Sequence, residues 1–133
     1  MNTVRNVSHD PAPTPTVLVA EDEILLRMVI AGYLRDCGFD VVEAGDADEA
    51  VRVLEAGVRV DIVFSDVNMP GCLDGFGLAQ WVRRERPGLK IILTSGTAWT
   101  AKDTSELCAH APILAKPYNH AVVAHRLRAL LAC

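Results

Sequence analysis

Apolar and polar residues alternate along this chain in two rhythms. Short apolar runs near residues 16–20, 39–43, 62–64, 90–94 and 112–115 have the length of strands. Between them the apolar positions recur every three to four residues, the spacing of one helical face. Leu26, Val29, Ile30, Tyr33, Leu34 and Cys37 make the first such stripe, and Ala47, Ala50, Val51 and Leu54 the second. Leu78, Ala79 and Val82 make the third, and Val123, Leu127, Leu130 and Leu131 the last. Residues 100–109 form a weaker helix, with only Leu107 and Cys108 as sizeable apolar groups.

Punctuation agrees with these rhythms. Gly38 and Gly57 are placed to end helices, Gly38 in the left-handed conformation. Asp46 with Glu49 three residues on is a capping-box pattern, Asp74-Gly75 opens the third helix, and Asn119 caps the last. Arg83, Arg84 and Arg86 fall in the last turns of the third helix, where cations complement the dipole.

Five strands alternating with five helices predict an α/β fold in three layers, a parallel sheet covered by helices on both faces. Right-handed crossovers then bring every strand's carboxyl end to one rim. The run Ile62-Val63-Phe64 has no polar face, so it reads as a central strand buried on both sides. Asp66 stands at its carboxyl end, where open α/β sheets bind ligands, and Pro70-Gly71 turns the chain away. Residues 1–15, with Pro11, Pro13 and Pro15 among polar neighbours, read as a flexible tail. Residues 16–133 read as one domain.

Composition narrows the function. Half of the 133 residues are hydrophobic, enough for a core, but no apolar run reaches the roughly 18–20 residues of a membrane span. The amino terminus lacks the apolar segment of a secretory signal, which favours the cytoplasm. A formal net charge of −4, without a basic patch, argues against nucleic acid. Cys37, Cys72, Cys108 and Cys133 show neither disulfide nor zinc spacing and read as reduced thiols. His9, His110, His120 and His125 show no metal or phosphotransfer spacing and read as surface residues.

The chemistry gathers at the strand ends. Strand one delivers Glu21 and Asp22, strand three Asp66, strand four Thr94 and Ser95, and strand five Lys116. Three carboxylates in one hollow repel one another. At 4 Å and an effective dielectric of about 20, each pair costs about 4 kcal/mol. Lys116 is one source of compensating charge. A hard divalent ion is another, Mg²⁺ in the first place and Mn²⁺ as the second ion such oxygen donors accept. A carboxylate nucleophile, a metal, a lysine and a hydroxyl make a phosphoryl-transfer site.

Four segments carry a resemblance. Val19-Ala20-Glu21-Asp22-Glu23, Ser65-Asp66-Val67-Asn68-Met69-Pro70-Gly71, Leu93-Thr94-Ser95-Gly96 and Ala115-Lys116-Pro117-Tyr118 resemble the receiver domain of two-component response regulators. The likeness covers roughly residues 16–132 and implies a flavodoxin-like fold with strand order 2-1-3-4-5. It implies that Asp66 accepts a phosphoryl group from a phosphohistidine on a sensor histidine kinase or a histidine phosphotransfer protein. Asp22 and Asp66 would ligate Mg²⁺, with the backbone carbonyl of Asn68, and Glu21 acting through water. Lys116 and Ser95 would contact the phosphate, a cis Lys116-Pro117 bond would aim the lysine inward, and Asn68 and Thr97 would tune dephosphorylation.

Three departures from the family pattern follow. The switch hydroxyl is assigned to Ser95, which a small residue follows, with Thr94 as the alternative. Ile113 stands where an aromatic often reports the switch. The loop Pro70-Gly71-Cys72-Leu73-Asp74-Gly75 is one residue longer than common. The chain ends just past its last helix, so output is expected through docking. The surface of the fourth helix, fifth strand and fifth helix would meet an unknown partner. This describes a switch rather than an enzyme with a separate substrate. The alternatives are a passive phosphate sink, an Asp-nucleophile phosphatase and a docking module that has lost phosphorylation. The phosphatase would want an acid where Asn68 stands.

Overall fold

A computed structural model describes residues 14–95, 113–116 and 118–132. Among these residues the five strands are β1 (Thr16–Ala20), β2 (Asp40–Ala44), β3 (Ile62–Asp66), β4 (Lys90–Ser95) and β5 (Ile113–Ala115). Among the described residues the helices are α1 (Ile24–Asp36), α2 (Ala47–Glu55), α3 (Gly75–Glu85) and α4 (His120–Leu131), the last being the helix that Asn119 opens. The strands are all parallel and lie in the order β2-β1-β3-β4-β5.

Side-chain alternation along the strands makes two cores. Leu18, Val63, Ile91 and Leu93 point to one face and pack with Ala50, Leu54, Leu78 and Val82 of α2 and α3. Val17, Val19, Ile62, Phe64 and Ile92 point to the other and pack with Ile30, Leu34, Val123 and Leu127 of α1 and α4. Strand β3 is buried along its whole length, as its unbroken apolar run predicts. Each fully buried Leu, Ile or Val contributes roughly 1.5–3 kcal/mol against exposure, so the centre of the sheet is the most firmly held part of the fold.

The helix ends follow the sequence punctuation. Gly38 has φ +99°. Its N–H donates to Arg35 O at 3.0 Å and that of Phe39 to Leu34 O at 3.0 Å, which closes α1 in a Schellman motif. Gly57, at φ +84°, closes α2 in the same way. The Asp46 carboxylate accepts from Glu49 N at 2.7 Å, while Glu49 Oε1 accepts from Gly45 N at 2.6 Å. The capping box is thus reciprocal, but reaches one residue further back than the pattern implies. Asp74 and Asn119 cap α3 and α4 through Gly77 N and Ala121 N.

Four expectations need correction. Leu26 and Val29 are 39% and 52% exposed, because the start of α1 stands clear of the core; Ala31 is buried instead. Strand β2 begins at Asp40 rather than Phe39, since Phe39 closes the Schellman motif and buries its ring. Arg86 caps α3 from outside rather than lying in its last turns, its guanidinium 5.5 Å from the Trp81 ring centre. His120 is half-buried, its ring 5.3 Å from Tyr33 and 6.0 Å from Tyr118; His125 is exposed as expected. The tail through residue 13, the helix at 100–109, Gly96, Thr97, His9, His110, Cys108, Cys133 and the Lys116-Pro117 bond's proline lie outside the described residues. Among the described residues no helix is long and apolar enough to cross a membrane.

Candidate functional site

Strand register builds the site. Ala20 pairs with Ser65, Asp66 with Thr94, and Ser95 with Ala115, so β1, β3, β4 and β5 end side by side. Backbone bonds carry the register past the strand ends. Val67 N donates to Thr94 O at 2.8 Å, Lys116 N to Ser95 O at 2.9 Å, and Glu21 N to Ala44 O at 3.0 Å. Backbone hydrogen bonds therefore hold the residues just beyond β1, β3 and β5 in line with the sheet.

Three carboxylates converge there. Glu21, Asp22 and Asp66 each place an oxygen within 4.8 Å of the other two. Glu21 and Asp66 are buried, at 5% and 8% exposure, whereas Asp22 is open to solvent. Lys116 bridges the buried pair, with Nζ 3.2 Å from Asp66 Oδ2 and 3.5 Å from Glu21 Oε1. Asp66 Oδ1 accepts from Asn68 N at 3.3 Å, and Glu21 Oε2 accepts from Glu23 N at 3.1 Å. Ser95 and Thr94 are both buried, Thr94 opposite Asp66 and Ser95 one residue nearer the rim.

The electrostatics follow from burial and like charge. Desolvation pushes the Glu21 carboxyl above its ordinary range; the Glu23 N–H and Lys116 oppose this, and Asp66 and Asp22 add to it. Burial alone would lower the Lys116 pKa. The Asp66 and Glu21 carboxylates outweigh it and hold the ammonium above its ordinary value. The hollow thus holds excess negative charge that one lysine only partly offsets. Oxygen donors alone, converging at this spacing, fit a hard divalent cation and not a soft one.

The geometry brings together Glu21, Asp22, Asp66 and Lys116, and sets Ser95 beside them. Ile113 is half-buried at the edge of the α2/α3 core. The long loop after β3 is latched to α2: Cys72 N donates to Asp48 Oδ2 at 3.1 Å, and Gly71 sits at φ +110°. Sequence reasoning missed this latch and two other residues. Gly75 lies so close to the end of β3 that a Cβ there would be 2.3 Å from Asp66 O. Arg27 donates to the Glu21 carbonyl at 2.9 Å and meets Glu43 at 3.2 Å. The available signal for Arg27 was a lone cation within the apolar run of residues 24–30; the fold also brings Arg35, two turns on, to the same Glu43 at 3.2 Å.

Known proteins resemble this chain in sequence and fold. The chain is 38% identical over 114 residues to the transcriptional regulatory protein PdtaR of Mycobacterium tuberculosis, an alignment covering 83% of this chain and 53% of that one. It spans about half the length of that curated relative. A response regulator receiver protein of Sinorhizobium medicae superposes with a TM-score of 0.83 at 28% identity, covering 91% of this chain and 97% of the other. The response regulator TrrA of Thermotoga maritima, solved in complex with Mg²⁺-BeF, superposes with a TM-score of 0.77 at 26% identity, covering 88% and 99%. The family model of the response regulator receiver domain matches residues 17–128. With its fold, its acidic rim and this match, the chain belongs to the response regulator receiver domain family of two-component signalling systems.

Proposed function

We propose that this receiver is a phosphorylation switch in which Asp66 accepts the phosphoryl group of a phosphohistidine. The observation that carries the reading is the Lys116 ammonium between the buried Asp66 and Glu21 carboxylates, with Asp22 closing the cluster. Glu21, Asp22, Asp66 and the Asn68 carbonyl would hold Mg²⁺, Glu21 through water. When bound, the ion supplies positive charge to the non-bridging phosphoryl oxygens.

The chain's own groups do the rest. An Asp66 carboxylate oxygen attacks phosphorus; the new P–O bond forms as the P–N bond breaks, and the electron pair returns to the imidazole nitrogen. Lys116 leaves its carboxylate partners in part and pairs with the phosphoryl oxygens. Ser95 donates its hydroxyl to the same group. These contacts favour one arrangement of the adjoining loops, a population shift rather than a new fold.

The donor is a sensor histidine kinase or a histidine phosphotransfer protein. Ile24, Leu25, Met28 and Val29 on α1 are exposed beside the acidic rim and give such a donor an apolar face to rest on. Output passes through docking at the surface that includes β5 and α4, and the switching unit begins near residue 16. Mn²⁺ can replace Mg²⁺.

Incubation with a small phosphoryl donor and Mg²⁺, read by intact mass, tests this. One phosphoryl adduct is expected, absent in Asp66→Asn. Rapid multiple turnover would mean a phosphatase. No adduct with any donor would leave a docking module.

A further inference from the structure

We infer that Arg27 is a positioning residue for the metal-binding acidic pair, an inference that rests on the reading of the site as a divalent-cation centre. Asp22 is the exposed member of that centre and belongs to a turn between β1 and α1. A ligand on a turn binds well only if its backbone is fixed beforehand.

Arg27 fixes it. One guanidinium nitrogen donates to the Glu21 carbonyl at 2.9 Å, the oxygen of the peptide that joins Glu21 to Asp22. A second meets Glu43 Oε1 at 3.2 Å, at the end of β2. Glu43 is held on its other oxygen by Arg35 at 3.2 Å. The clamp is therefore anchored at both ends: Arg27 and Arg35 belong to one helix, and Glu43 is paired in register with Val19 of β1. Its neighbour on the far side is the chain after β2. A Cβ on Gly45 would lie 3.4 Å from the Arg27 nitrogen, so the guanidinium packs directly beside the Gly45 backbone.

The division of labour between cations supports this role. Lys116 touches the carboxylates of Glu21 and Asp66, where a metal would also act. Arg27 bonds the Glu21 backbone and spends its charge on Glu43. It can order the ligands without competing with the ion they bind. The planar fork suits that task, since one guanidinium reaches a carbonyl and a carboxylate together and a lysine reaches them only in turn.

The test is Mg²⁺ titration of ¹⁵N-labelled protein, followed by the amide shifts of Asp22 and Asn68. Loss of a supporting contact typically weakens metal binding 10- to 100-fold, so Arg27→Ala should raise half-saturating Mg²⁺ roughly tenfold. Arg27→Lys and Glu43→Gln should fall between it and wild type. Excess Mg²⁺ should bring phosphoryl acceptance by Arg27→Ala back toward the wild-type rate, a rescue that general loosening of the fold would not produce. Unchanged half-saturation in folded Arg27→Ala would overturn the role while leaving the metal site intact. If wild type itself gave no Mg²⁺ response, the centre and the role of Arg27 would fall together. If Arg27→Ala did not fold, Arg27→Lys and Glu43→Gln would decide, and wild-type affinity in both would overturn the inference.

Discussion

Asp66 is placed where its charge costs stability, and where the proposed phosphoryl transfer would use it. Glu21 and Asp22 crowd it, and Lys116 offsets only part of that repulsion. In chelator, Asp66→Asn should therefore melt at the wild-type temperature or a few degrees above it, measured by calorimetry; a large fall would contradict the account. Lys116→Met should do the reverse, melting lower in chelator and recovering much of the loss when Mg²⁺ is added, because the ion replaces the missing cation. Gly75 has a different reason to be what it is. A methyl there would sit 2.3 Å from Asp66 O and 2.6 Å from Val67 Cα, both backbone, so nothing flexible can yield. Gly75→Ala should cost about 1–3 kcal/mol in urea unfolding, as overpacking does elsewhere.

At the scale of elements, the helices are set by their ends and by one buried stripe each. The Asp74 carboxylate accepts from Gly77 N at 2.8 Å and also starts α3 directly behind β3, the strand that carries Asp66. Asp74→Ala and Asp46→Ala should each lower stability by about 1 kcal/mol, read from urea midpoints, without changing the denaturant slope. These caps were legible because an Asp or Asn before a periodic run has few other uses. The exposed start of α1 was not. Leu26 and Val29 continue the helical period that buries Ile30 and Leu34, and period alone does not say where a helix runs past the sheet it covers. The one-residue shift of β2 has a similar origin: Phe39 is apolar enough for a strand, but the turn after Gly38 claims its N–H first.

For the whole molecule, the rim is an assembly of four strand ends that no single segment contains. A cation bound only by the folded rim stabilises the fold by mass action, by about 2.7 kcal/mol at a hundredfold excess over its dissociation constant. Mg²⁺ should therefore raise the melting temperature of wild type, and Asp22→Asn or Asp66→Asn should remove most of that rise in the same calorimetric series. The absence of any Mg²⁺-dependent shift in wild type would count against a metal centre here.

Order, type and polarity of the elements were written in the sequence by themselves. Two apolar periods, an all-apolar central run and capping residues at the joints leave a parallel α/β sheet as the arrangement that buries them all. The acidic pair, Asp66, Ser95 and Lys116 were visible too, since each follows an apolar run at the end where such sheets bind ligands. Tertiary structure decided which charges actually meet. Lys116 lies 50 residues from Asp66 along the chain, and only the pairing of β3 with β4 and of β4 with β5 brings its ammonium within 3.2 Å. It also decided that Arg27 reaches the Glu21 carbonyl and that Gly75 touches the Asp66 backbone. Local patterns report what each segment must bury, because burial is a property of single side chains. Contacts between segments depend on register and packing distance, and those exist only once the sheet has formed.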